Sequence, residues 1–210
     1  LALVLGAGCL EPFRAHVPAE LTQGWTVTEG GVQGGALGPK SRETRYAFDR
    51  DRDAPPPFSG SLQVFSIRSL GSLDSGHLLD LARDLVDKGA KANAIQLADG
   101  EAAGPRTLRS GVPTHWFVRE GRTSQPGDLF DQDVQVRILG EVGHDGRSDT
   151  SVLLIAMAQV GRTNQCPILP TPCQPEQADV QTWLQIVGDP HGSVQGATSQ
   201  NGFIDHLVTR

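Results

Sequence analysis

Residues 151 to 160 read Ser-Val-Leu-Leu-Ile-Ala-Met-Ala-Gln-Val, and no spacing divides them into an apolar and a polar face. In an extended strand successive side chains point to opposite faces, so Val152, Leu154, Ala156 and Ala158 point one way and Leu153, Ile155 and Met157 the other. Both sets are apolar, which predicts a central strand covered on both sides. Upstream, Val134, Val136 and Ile138 alternate with Gln135 and Arg137, the period of a strand with one apolar face. Between the two runs, Gly143-His144-Asp145-Gly146 supplies residues suited to a turn. A hairpin from Asp133 to Gly161 is therefore the framework that the rest of the chain must cover.

At 210 residues the chain can build one domain with a substantial core. Eighteen Lys and Arg against 24 Asp and Glu leave a net charge of -6 with no basic stripe, which disfavours a nucleic-acid partner. The first residues, Leu1-Ala-Leu-Val-Leu-Gly-Ala-Gly-Cys9, are small and apolar, too few to span a bilayer and of the kind that ends a signal peptide. Their Gly-Ala-Gly-Cys end resembles the lipobox of prokaryotic lipoproteins, in which the Cys becomes the lipid-modified first residue. Gly6 stands where that pattern prefers an aliphatic residue, which Leu5 supplies one place early. The resemblance implies lipidation of Cys9, with residues 1–9 as signal, 10–20 as tether and 21–210 as one folded domain. An ordinary secretory signal, or a buried N-terminal strand with an incidental Cys, is the alternative.

Cys166 and Cys173 bracket Pro-Ile-Leu-Pro-Thr-Pro, a tract unsuited to helix or central strand. A disulfide across this short loop would remove roughly 2.5 kcal/mol of unfolded-state entropy. It would also require an oxidising compartment, in agreement with export. Two free thiols are the alternative; a redox pair would more often be Cys-x-x-Cys at a helix N-terminus.

The remaining elements are read in chain order. Strands are expected at Trp25 to Thr28, at Thr44 to Phe48, where Thr44, Tyr46 and Phe48 alternate with Arg45 and Ala47, and at Leu62 to Ile67. Asp74 or Ser75 caps a helix whose inner stripe is Leu78, Leu81, Ala82 and Leu85 and which Gly89 ends. Thr107 to Arg109 and Thr114 to Val118 read as strands around the Gly111-Val-Pro113 punctuation. A second helix spans Glu176 to Val187, with Ala178, Trp183, Leu184 and Val187 toward the sheet. Asn201 to Arg210 reads as a short helical segment or a fraying tail.

Strands interrupted by helices before and after the hairpin argue for α+β: a mostly antiparallel sheet with helices on both faces. This element order, over roughly residues 20 to 190, resembles the Mog1/PsbP-like α/β/α sandwich superfamily. The resemblance implies such a sandwich in an accessory or binding protein. It carries over no catalytic residue set.

Site chemistry is sparse. Asp49, Asp51 and Asp53 have the spacing that opens a calcium loop, but Ala54 replaces its Gly and Gly60 its closing Glu. The six histidines form no close helical pair, and a zinc site from Cys166, Cys173 and late histidines suits the Pro-rich spacing less well than a disulfide. His144-Asp145 near Ser148 or Ser151 is the one arrangement pointing toward a hydrolase, yet Gly-x-Ser-x-Gly does not occur. Gly30-Gly31 and Gly34-Gly35 lack the Lys and Ser/Thr of a phosphate loop. No cofactor or metal is implied. The reading is an exported, membrane-anchored, non-enzymatic binding domain of the cell envelope, with an unidentified protein or small molecule as partner. Its working surface is placed on the loops Gly30 to Lys40, Asp49 to Pro57 and Gly143 to Ser148. An exported hydrolase is the alternative.

Overall fold

The computed structural model describes residues 13–34, 39–48, 60–69, 73–125, 132–164, 177–188 and 202–210. Within them run β1 (Ala15–His16), β2 (Thr26–Glu29), β3 (Lys40–Phe48), β4 (Gly60–Arg68), α1 (Ser75–Ala92), β5 (Gln96–Leu97), β6 (Ala102–Thr107), β7 (Pro113–Gln125), β8 (Gln132–Asp145), β9 (Thr150–Asn164), α2 (Gln177–Val187) and β10 (Val208–Thr209). Eight strands make one antiparallel sheet in the order β2-β3-β4-β9-β8-β7-β5, with β6 also paired to β7. The apolar run forms β9, at the middle of that order. Its side chains divide by parity. Val152, Leu154, Ala156 and Ala158 join Tyr46, Leu62, Val64 and, from α2, Trp183 and Ile186. Leu153 joins Phe117, Val134, Ile138 and, from α1, Leu78, Ala82 and Val86.

The α/β/α sandwich is not what forms. Among the described residues ten strands stand against two α-helices, and the fold is β-rich. Strand length is the physical reason: β7, β8 and β9 run to 13, 14 and 15 residues. The polar stretch after Val118, which offers no apolar periodicity, continues β7 because its backbone pairs with β8 as far as Gln125. Among the described residues only two α-helices lie against the sheet. The helix α1 packs on β7, β8 and β9, and α2 on β9 and β4.

The two ends of the described chain share the α2 side, and of the segment expected as a tether over residues 10–20 the described part begins at Phe13. Phe13, Ala15 and Val17 are buried. The Ala15 N–H donates to Ser66 Oγ at 2.6 Å and the Val17 N–H to Tyr46 Oη at 2.9 Å. The strand β1 pairs with β10, and Phe203, Ile204 and Leu207 are buried just before that pairing. What reads as a helical or fraying tail is a 3-10 turn, Ile204–His206, leading into a strand that clasps the other end of the chain.

Helix α1 departs from its expected limits at the C-terminus. Asp74 is the N-cap residue, although its side chain makes no capping bond. The buried stripe is Leu78, Ala82, Val86 and Ala90, a pure i,i+4 series, while Leu81 is 39% exposed and Leu85 is half-buried. Gly89 lies inside the helix, which continues to Ala92. The stop is Ala94, at φ 53°, with Ile95 N–H donating to Ala90 C=O at 2.8 Å and Ala94 N–H to Lys91 C=O at 3.3 Å. Those are the two bonds of a Schellman ending, and buried Ile95 and Ala90 supply the apolar contact that accompanies it.

Candidate functional site

Among the described residues, helix α1 leaves the β3 and β4 part of its sheet face open. Between helix and sheet there lies a cleft of about 580 Å³, within the range of small-molecule sites. Leu85, Val86 and Ala90 form its helical wall, and Ile138, Ile155 and Met157 its floor. Its far side is polar: Ser61 and Gln63 from β4 and Arg45 from β3.

Strand parity explains the division. In β4, Leu62 and Val64 face α2, so Ser61, Gln63, Phe65 and Ile67 face α1. Phe65 and Ile67 pack in the α1 cluster, and the polar pair lies at the other end of the strand. Cross-strand register sets the sequence of contacts: Arg45 opposes Gln63, which opposes Ile155, while Ser61 opposes Met157, which opposes Ile138. The cleft therefore grades from polar to apolar between β3 and β8. Among the described residues, Arg45, Ser61 and Gln63 have no side-chain hydrogen bond or ion pair. Gly89 borders the opening, and a Cβ there would meet nothing within 4 Å.

A smaller hollow of about 380 Å³ at the β5 end of the sheet is lined by Gln96, Glu120, Arg122, Gln135 and Arg137. Arg137 is engaged with Glu120 at 3.0 Å. Leu97, Val136 and Val160 line that hollow as well.

The residues considered for hydrolysis separate into two groups. His144 Nδ1 lies 3.1 Å from Ser151 Oγ, and His144 Nε2 lies 3.8 Å from Asp149 Oδ1. This is a serine, histidine and carboxylate in sequence, but Ser151 is only 3% exposed and opposes His144 across the β8–β9 ladder. The Asp149 side chain is 72% exposed, where water screens its charge. Such a cluster orders the hairpin end and presents no accessible nucleophile. Asp145 belongs to a second group, accepting from Ser148 Oγ and Arg147 N–H at 3.0 Å each and from the Thr209 hydroxyl. Burial pushes its carboxyl up, but these hydrogen bonds and the Arg147 charge outweigh that and hold it below its ordinary value. The turn comprises residues 146–149, later than expected. Gly143 lies within β8, where a Cβ would meet Thr114 Cγ2 at 2.6 Å, so close strand packing accounts for this glycine.

Glu141, which no sequence motif marks, is a fully buried acid of the described chain. It lies on β8, with Arg106 Nε and Nη2 each donating to one of its oxygens at 2.7 Å and Thr114 Oγ1 donating at 2.6 Å. Burial raises its carboxyl above the ordinary value, and Arg106 and Thr114 oppose that rise. Arg106 also reaches Asp205 at 3.4 Å, which ties the sheet to the C-terminal segment. Both carboxylate oxygens are occupied by protein donors, so the group reads as a staple rather than a reactive acid. A lone Glu amid Ile138-Leu-Gly-Glu-Val-Gly143 was the available sequence signal.

Cys9, Cys166, Cys173, Asp49, Asp51 and Asp53 lie outside the described residues, as do 35–38 of the Gly-rich tract and all of Asp49 to Pro57. Among the described residues no three His, Cys, Asp or Glu side chains stand together as metal ligands would. No described helix is long and apolar enough to cross a membrane. The chain matches no protein-family model, no curated protein and no solved structure.

Proposed function

We propose that this chain is an exported domain, lipid-anchored through Cys9, that acts at the cell envelope by binding, with the cleft beside α1 as its working surface. The observation that carries the reading is the cleft: an apolar floor and wall facing polar side chains that no described residue engages. The apolar N-terminal stretch ending at Cys9 supports the anchor, and the pairing of Cys166 with Cys173 belongs to the same oxidising location. Phe13 is already buried in the domain. Three residues separate it from Cys9, and the four Cα-to-Cα steps between them span at most about 14 Å, so a lipid on Cys9 would hold the domain close against the bilayer.

Two measurements test this. Cys9→Ser should move the protein from the membrane to the soluble fraction; unchanged fractionation removes the anchor from the proposal. An environment-sensitive apolar dye should brighten with the wild-type chain and lose that response in Gly89→Trp, whose side chain would enter the open space at residue 89. Turnover in an esterase screen that Ser151→Ala abolishes, with the fold retained, would replace binding by hydrolysis.

A further inference from the structure

Resting on the reading of the cleft as a binding site, we propose its ligand class: a free single-chain amphiphilic acid, its carboxylate at Arg45 and its chain across the floor toward Ile138. The charge sign follows from the lining. Among the described residues Arg45 is the cleft's one ionisable side chain, and no carboxylate lines it. Glu43, on the same face of β3, stands opposite Phe65 and makes no ion pair with Arg45 among the described residues. A cationic head would meet only repulsion from the guanidinium. A carboxylate would gain a charge-assisted fork, with the Gln63 amide and Ser61 hydroxyl as further donors beside it.

The apolar requirement comes from the other end. Ile155, Met157 and Leu85 are only partly covered by the protein itself, although all three pack against the α1 core cluster. Leu81, one turn before Leu85 on the same flank of α1, is exposed as well. An alkyl chain laid over them removes apolar surface from water on both partners. From β3 to β8 are three interstrand steps of about 4.8 Å, roughly 14 Å, close to the extended length of a chain of about ten carbons.

The test is calorimetric titration of the full chain with decanoate, decanol, decyltrimethylammonium and butyrate, below their micelle concentrations and near neutral pH. Decanoate should bind at least about tenfold more tightly than decanol, the cation and butyrate more weakly still. Arg45→Gln should lower decanoate affinity to that of decanol and leave decanol unchanged, a separation that general unfolding cannot produce. Gly89→Trp should abolish both, with Gly89→Met as the smaller block if the Trp variant melts early. Equal affinity for decanoate and decanol, both lost on blocking residue 89, overturns the acid and leaves the cleft standing. Binding indifferent to residue 89, or no binding by either compound, overturns the cleft as well.

Discussion

The C-terminal turn of α1 carries two local misfits that one pair of substitutions should relieve. Gly89 occupies a helix interior, where glycine costs about 0.5–1 kcal/mol relative to Ala through lost backbone entropy. A Cβ at 89 meets nothing within 4 Å, so Gly89→Ala adds no steric cost. Ala94 holds φ at 53°, a left-handed conformation that costs a non-glycine residue roughly 1 kcal/mol or more. Ala94→Gly keeps the N–H that bonds to Lys91 and removes the Cβ responsible. The exchange of glycine and alanine leaves composition unchanged and should stabilise by about 2 kcal/mol in sum. For a chain of this size that corresponds to roughly 4–8 °C in Tm. Urea denaturation of the two single variants and the double variant, followed by far-UV circular dichroism, measures it through the midpoint at constant slope. A loss of stability in Ala94→Gly would refute the Schellman reading. No gain in Gly89→Ala would mean that the helix already ends before that residue.

Three further outcomes are expected. Leu78→Ala should cost about 2–5 kcal/mol, because Leu78 is buried in the α1 stripe, whereas Leu81→Ala should cost well under that; equal effects in a melt would put the stripe back where the sequence places it. Glu141→Ala or Arg106→Ala alone should cost roughly 3–5 kcal/mol by leaving a buried charge unpaired, while Arg106→Met with Glu141→Leu should cost far less than the sum, and simple additivity would argue against the staple. Asp145 is held below its ordinary carboxyl value, so its contribution is complete above about pH 4 and is lost as the pH falls through its folded-state value. Denaturant midpoints should accordingly fall less between pH 5 and pH 2 in Asp145→Asn than in wild type, and parallel curves would refute the assignment.

Periodicity by itself determined the hairpin of β8 and β9, the central place of β9 and the face on which each of its apolar side chains lies, because alternation is a local property of an extended chain. The presence of α1 and α2 was equally legible from apolar spacing. The helix end was not: a local rule makes Gly89 a terminator, yet the turn that stops α1 is completed five residues later, where Ile95 is buried beside Ala90. The N-terminal segment looked like a tether because Phe13, Ala15 and Val17 alternate with Arg14, His16 and Pro18 beside prolines, and its value as a strand depends on Ser66, Tyr46 and Thr209, which only folding brings near. Arg45 was legible as a polar residue alternating along its strand, whereas Ser61 precedes the strand expected from Leu62 and Gln63 carries no signal of its own. Their meeting with Leu85, Ile155 and Met157 in one cleft was decided by where α1 settles on the sheet, a matter of packing between distant segments that no local pattern records.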